Sequence, residues 1–226
     1  ELVRRLTEQS KKENMSFEAF EKLPEERKQL ILSTGIKEFS EKSYKDASTD
    51  HITKECGISK GILFHYFRSK KEFYLYCLNV AMESLTSQTK ETENKSDFYD
   101  ILFSSMERKI SLCMRYSDEM HMVNMASRDA SAEIAEGKAG ILHKYMDLVQ
   151  AESKTTLMRA LAALEFKESE NMEKTMEGLF LYIHAVLNKY LFQYQQAPDE
   201  FFQNSDRIKA EIKEYLDLML FGICRK

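Results

Sequence analysis

From residue 25 onward the apolar positions of this chain recur every three or four residues, the period of helices that each bury one face. Pro24 followed by Glu25 and Glu26 predicts a helix start, because proline's missing N–H has no partner in a first turn and carboxylates suit the positive end of the helix dipole. The stripe expected to be buried is Ile31, Gly35 and Phe39, with Leu32 and Ile36 alongside, and Gly35 lets a second helix approach closely. After a polar turn, Ser48 or Thr49 caps a short helix carrying Ile52 and Cys56. Gly57 can take the left-handed conformation that ends a helix, and Ile58 then drops into the core. Ser59 caps the next helix, whose inward positions are Leu63 and Phe67, one turn apart. Lys60, Gly61, Ile62, Phe64, His65 and Tyr66 are left to face outward. Two short helices, a glycine turn and an exposed basic and aromatic face predict a helix-turn-helix.

A stiff helix is expected from Lys70 into the 80s, since neither Gly nor Pro occurs between Lys70 and Asn94. It joins a head at residues 25–70, preceded by an arm at 1–24 to which no role is assigned, to a body at 71–226. In the body, Ser96-Asp97 opens a stripe through Phe98, Ile101, Leu102, Met106, Ile110 and Cys113, residues 115–139 are choppier, and Ile141 to Leu164 reads as another long helix. Met176, Phe180, Ile183, Leu187, Tyr190 and Tyr194 are spaced 4, 3, 4, 3, 4, and Ile208, Ile212, Tyr215, Met219 and Gly222 are spaced 4, 3, 4, 3. That rhythm suits helices packing at shallow angles. Extra apolar residues beside both stripes, Leu218 and Phe221 among them, predict that a second copy of the chain packs here in a four-helix bundle.

Composition narrows the fold class to all-α. Seven Gly and two Pro in 226 residues are too few for the turns of sandwiches, propellers or Rossmann folds. No stretch approaches the roughly 18 uncharged apolar residues of a membrane span, and residues 1–14 lack the apolar core of a signal peptide, so a soluble cytoplasmic protein is expected. The four cysteines, Cys56, Cys77, Cys113 and Cys224, lie far apart and read as reduced thiols. The net charge of −4 argues against nucleic acid until it is divided. Residues 1–80 hold 15 Lys+Arg against 13 Asp+Glu, and between Lys54 and Lys71 five basic residues face the single acid Glu55. A phosphate backbone would meet that local surplus.

The segment Ser48 to Phe73, STDHITKECGISKGILFHYFRSKKEF, resembles the DNA-binding head of TetR-family transcriptional regulators. The likeness covers roughly residues 25–80 and is carried by Phe39, Ile52, Gly57-Ile58-Ser59-Lys60-Gly61, Leu63-Phe64-His65-Tyr66-Phe67 and Ser69-Lys70. It implies an all-helical homodimer with a three-helix head and a larger variable body that holds an effector pocket and dimerises through its last two helices. Ser43 stands where the family commonly has glycine, Ala47 where Thr or Ser is frequent, and Ile62 where a small or hydroxylated residue is common. Ile62 removes a hydroxyl and supplies an apolar tip for a thymine methyl.

The DNA-contacting set is then Ser48, Thr49, Ser59, Lys60, Gly61, Ile62, Phe64, His65, Tyr66 and Lys70. Lys60 reaches guanine O6/N7 or a phosphate, Gly61 lets the backbone approach, Phe64 and His65 pack on sugar or bases, and the hydroxyls with Lys70 suit phosphate oxygens. The bundle residues are Met176, Phe180, Ile183, Leu187, Tyr190, Ile208, Ile212, Tyr215 and Met219. A mostly apolar effector cavity is expected near Phe103, Met106, Met122, Met125 and His184, because methionine-lined cavities accommodate apolar ligands. His121 and Asp118 share one turn without a third ligand, so no metal and no cofactor is expected, and no nucleophile motif, glycine-rich phosphate loop or HExxH points to an enzyme.

The reading is a homodimeric repressor bound to a palindromic double-stranded operator and released by a small apolar or amphipathic effector. Its alternative is a DNA-binding protein of the same fold whose body answers to a protein partner.

Overall fold

Ser48, Ser59 and Ser69 each accept a backbone N–H from three residues further on, at 3.2, 3.2 and 3.1 Å, and these caps begin three successive helices of the head. The computed structural model of the chain describes residues 17–86, 95–165, 172–193 and 198–222. Its helices are α1 (Glu18–Glu21), α2 (Glu25–Glu41), α3 (Thr49–Glu55), α4 (Lys60–Phe67), α5 (Lys70–Thr86), α6 (Phe98–Arg115), α7 (Ser117–Arg128), α8 (Ala135–Ala162), α9 (Met172–Gln193), α10 (Pro198–Gln203) and α11 (Ser205–Phe221). No strand occurs among the described residues, so the fold is all-α. No helix among them is long and apolar enough to cross a membrane.

Two compact units emerge. Among the described residues, the first joins 17–86 to 116–148, and the second joins 95–115 to those from 149 to 222. The sequence-based boundary between Lys70 and Lys71 coincides with neither, because α5 and α7 share a core with the head.

In the first unit that core is built from Ile31, Ile36 and Phe39 of α2, Ile52 of α3, Leu63 and Phe67 of α4, Phe73, Tyr74, Cys77 and Leu78 of α5, and Met122 and Ala126 of α7. Gly57 takes φ +60° and ends α3 as its sequence position predicts. Gly35 brings α2 against α5, with the Phe73 ring over the glycine. Pro24 occupies the cap position of α2 and not its first turn.

The arm expected over residues 1–24 is part of this core at its end. Phe20 is 0% exposed, with its ring 4.7 Å from that of Phe67 and 5.6 Å from that of Tyr76. Burying such a ring contributes about 2 kcal/mol, enough to pin α1 to the head. The part of the arm before Phe17 lies outside the described residues.

The second unit packs α9 against α11 and both against residues of α6 and the end of α8. Its buried positions differ from the predicted stripes. On α9 the inward residues are Leu179, Ile183, Val186 and Tyr190, with Phe180 and Leu187 only partly buried, and on α11 they are Ile208, Ile212 and Leu216. The α11 stripe steps by four throughout, which turns Tyr215 and Met219 outward.

This corrects the predicted bundle face. Ile183, Ile208 and Ile212 are each 1% exposed or less within one chain, so they fill the core of the protomer and offer no surface to a second copy. Tyr190 is buried too, with its hydroxyl donating to Glu211 at 2.8 Å. The side chain of Met176, together with Tyr194 and Cys224, lies outside the described residues.

Candidate nucleic-acid interface

Leu63 and Phe67, one helical turn apart and both fully buried, decide which face α4 presents. Gly61, Ile62 and His65 lie on the opposite face, and they and Lys60, at the start of the helix, are all exposed. Phe64 is half-buried beside them, and Tyr66 is half-buried with its ring 5.9 Å from that of Phe20. Ser59 is exposed and its hydroxyl oxygen is occupied by the Ile62 N–H.

The preceding helix is held in place by a buried carboxylate. Glu38 lies on α2, seven residues after Ile31 and therefore on the inward stripe, and its side chain is 2% exposed. It accepts the Ser48 backbone N–H at 2.8 Å and the Lys42 ammonium at 2.8 Å, and its second oxygen lies 2.9 Å from His51 Nδ1. Burial works to raise the Glu38 pKa, but the bonds from Lys42, Ser48 and His51 outweigh it and hold the carboxyl below its ordinary range. The start of α3 is thus fixed by two acceptors, Ser48 Oγ on His51 N–H and Glu38 on Ser48 N–H. Thr49, taken from the sequence as a phosphate contact, is buried, and Ser48 is half-buried.

Two cations of the face have partners within the head. The Lys60 ammonium lies 3.0 Å from Asp50 Oδ1 on α3. Lys70, at the start of α5, donates to the Lys45 carbonyl at 3.2 Å and stands 4.9 Å from the centre of the Tyr44 ring. Burial pushes the Lys70 pKa down, against the pull of Glu133, Asp46 and Glu38.

An exposed α4 aimed by a buried leucine and phenylalanine, behind a capped α3 and a glycine turn, has the geometry of a recognition helix. Residues 31–77 match the family model described as bacterial regulatory proteins, tetR family. Over these residues the head is similar to the tetR-family regulators.

Similar proteins extend the likeness unevenly. YuxN of Bacillus subtilis, described as an HTH-type transcriptional regulator, is 36% identical over 72 residues, 32% of this chain and 25% of that protein. IcaR of Staphylococcus aureus, described as the negative transcriptional regulator of the biofilm operon icaADBC, is 28% identical over 100 residues, 40% of this chain and 54% of its own length. The chain therefore spans between a quarter and about half of these curated relatives. Crystal structures of TetR-family regulators from Chloroflexus aurantiacus and Streptomyces coelicolor superpose with TM-scores of 0.54 and 0.56 at 19% and 16% identity. They cover 92% and 88% of this chain, and 98% and 82% of their own. At that identity the likeness is one of fold.

The residues expected to line an effector cavity are not gathered within one unit. Met122 and Met125 belong to the first unit, where Met122 is fully buried core. Phe103, Met106 and His184 belong to the second, where Phe103 and Met106 pack partly buried on the core and His184 is exposed beside the Phe180 ring at 5.0 Å. The second unit carries instead an open cleft of about 330 Å³ lined by Lys95, Asp100, Phe103, Ser104, Glu107, Lys209, Ala210 and Lys213. Of the five, Phe103 alone lines it. Lys209 is clamped there by Glu107 and Asp206 at 2.6 and 2.8 Å.

Sequence reasoning missed Glu38, Asp50 and the two acids that hold Tyr44. Tyr44 precedes α3 and is buried, donating its backbone N–H to Asp129 at 2.7 Å and its hydroxyl to Glu133 at 2.7 Å. Glu38 was legible from its place on the buried stripe. The other three act across distances in sequence that no local pattern encodes.

Proposed function

We propose that this protein is a DNA-binding transcriptional repressor that inserts α4 into the major groove of a palindromic operator as a homodimer, and that its body controls that binding. The observation that carries the reading is the exposed face of α4, with Lys60, Gly61, Ile62 and His65 outward and Leu63 and Phe67 inward. An exposed lysine and an exposed β-branched side chain in the first turn of such a helix suit a guanine edge and a thymine methyl. The resemblance to IcaR supports the negative sign of regulation, and in this reading the protein works in the cytoplasm, where the DNA lies.

Dimerisation is assigned to the apolar residues that the second unit leaves outward. Leu181 is 60% and Phe221 78% exposed, and Leu218, Met219 and Tyr215 lie in the same last turns of α11. A second copy covering them would replace the buried stripe as the bundle interface.

The body can act on the head through α7. That helix packs on α2 and on α5, and the turn after it holds Tyr44 through Asp129 and Glu133. A ligand that binds one position of α7 better than another would shift the turn ahead of α3, and a tenfold preference is worth about 1.4 kcal/mol of coupling. A second reading, in which a protein partner and not a small apolar molecule works this device, draws on the cleft of the second unit, which is open and charged rather than enclosed and apolar.

The test is selection of bound duplexes from a random-sequence pool. Recovery of two inverted half-sites about one helical turn apart supports a dimeric operator reader. Recovery of no enriched sequence counts against it.

A further inference from the structure

Within the helix-turn-helix, Asp50 differs from Glu38 and Asp46 in the partner it takes. Glu38 is buried and spent on Lys42, Ser48 and His51, and Asp46 accepts the Ser43 hydroxyl at 2.5 Å. Asp50, the second residue of α3, is instead exposed, and both its oxygens face the recognition helix: Lys60 Nζ lies 3.0 Å from Oδ1 and 3.1 Å from Oδ2. The side chains of Asp50 and Lys60 are 74% and 49% exposed, so the pair lies open to solvent.

A carboxylate there is costly to any protein that simply attracts DNA. It repels phosphate, and it cancels the cation best placed to release a counterion. It contributes little to the fold, since exposed ion pairs add little and α3 is already capped by Ser48.

What the pair does supply is a threshold. A phosphate oxygen offers Lys60 one anionic partner in place of the one it already has, so the exchange gains little. A guanine edge requires no exchange, because the ammonium has three N–H donors and can give one to O6 or N7 while it stays paired with Asp50. Resting on the DNA-binding reading above, we propose that Asp50 is a specificity-determining residue, holding Lys60 from non-cognate phosphates while leaving its remaining N–H groups free for the correct base edge.

The experiment measures binding of the full chain to two duplexes, the one recovered by selection and one of random sequence, by fluorescence anisotropy across a salt series. Asp50→Asn keeps the side-chain size and removes the charge; Asp50→Ser serves as a second variant, and thermal unfolding checks that both fold as the parent does.

The expected result is tighter binding of the random duplex by about fivefold at 0.1 M salt, with a slope of log K against log salt steeper by about 0.9, one phosphate's worth. Affinity for the selected duplex should change much less, so the ratio between the two falls. Adding Lys60→Met to Asp50→Asn should abolish the gain on random DNA, because the lysine is what the aspartate restrains.

An unchanged ratio, or an equal gain on both duplexes, overturns the proposal while leaving DNA binding intact. A parent protein that binds neither duplex removes the DNA-binding reading itself, and the role of Asp50 with it.

Discussion

The backbone N–H of Tyr44, ahead of α3, donates to the carboxylate of Asp129, in the turn after α7, at 2.7 Å. The same carboxylate accepts the Ser131 N–H at 2.8 Å, and Lys138 donates to the Asp129 carbonyl. The turn is therefore braced on its own side while it holds the loop that leads into the helix-turn-helix. Burial works to raise the Asp129 pKa, and the bonds from Ser131 and Tyr44 together with Lys138 override it and lower it.

Asp129→Ala should destabilise the first unit by about 1–3 kcal/mol, because it leaves the N–H of the buried Tyr44 without its acceptor. Tyr44→Phe, which removes the hydroxyl bond to Glu133, should cost about 1 kcal/mol. Denaturant unfolding monitored by circular dichroism measures both. An Asp129→Ala protein as stable as the parent would mean that the bond holds nothing.

Gly35→Ala should destabilise through overpacking. A methyl on Gly35 would stand 2.8 Å from Phe73 Cε1 and 3.0 Å from Cys77 Sγ, both of them fully buried. The expected cost is about 1–3 kcal/mol. Phe73→Leu in the Gly35→Ala background should recover part of it, which a double-mutant cycle would read directly.

The three-helix arrangement, the caps at Ser48 and Ser59, the Gly57 turn and the inward Leu63 and Phe67 were legible in the sequence because each is written within one or two turns of helix. The outward face of α4 followed from the same spacing. The division into units was not legible, because whether residues 116–148 pack on the head or on the rest of the chain is a matter of tertiary contact. The bundle stripes failed for a related reason. A helix apolar on two faces, as α9 and α11 are, fits both a 4, 3 and a 4, 4 rhythm, and packing chooses. The core took Leu216 and left Met219 outside.

Acid should weaken the head through Glu38. Its pKa is lowered in the fold, so the stability it contributes is fully present above the ordinary carboxylate value of 4.5 and is lost as pH falls through the folded value. In Glu38→Gln the unfolding free energy should be smaller near neutral pH and should vary less with pH below about 4.5 than in the parent. Parallel pH profiles for the two proteins would contradict the network at the start of α3.

Leu218→Glu with Met219→Glu should yield folded monomers, because both side chains lie on the outward face of α11. Ile212→Asp should instead unfold the second unit, placing a charge where the side chain is 1% exposed, a cost of several kcal/mol. Analytical ultracentrifugation with near-ultraviolet circular dichroism separates the two outcomes. A Leu218→Glu/Met219→Glu protein that still sediments as a dimer would place the interface elsewhere.

Whether α4 reads DNA is measured by the affinity of the parent and of Lys60→Ala for the selected duplex and for random DNA as salt is raised. A linear fall of log K with log salt is expected for the parent, about 0.9 per phosphate neutralised, with a preference for the selected duplex that Lys60→Ala diminishes. A salt-independent affinity, or a sequence preference that survives intact without Lys60, would contradict it.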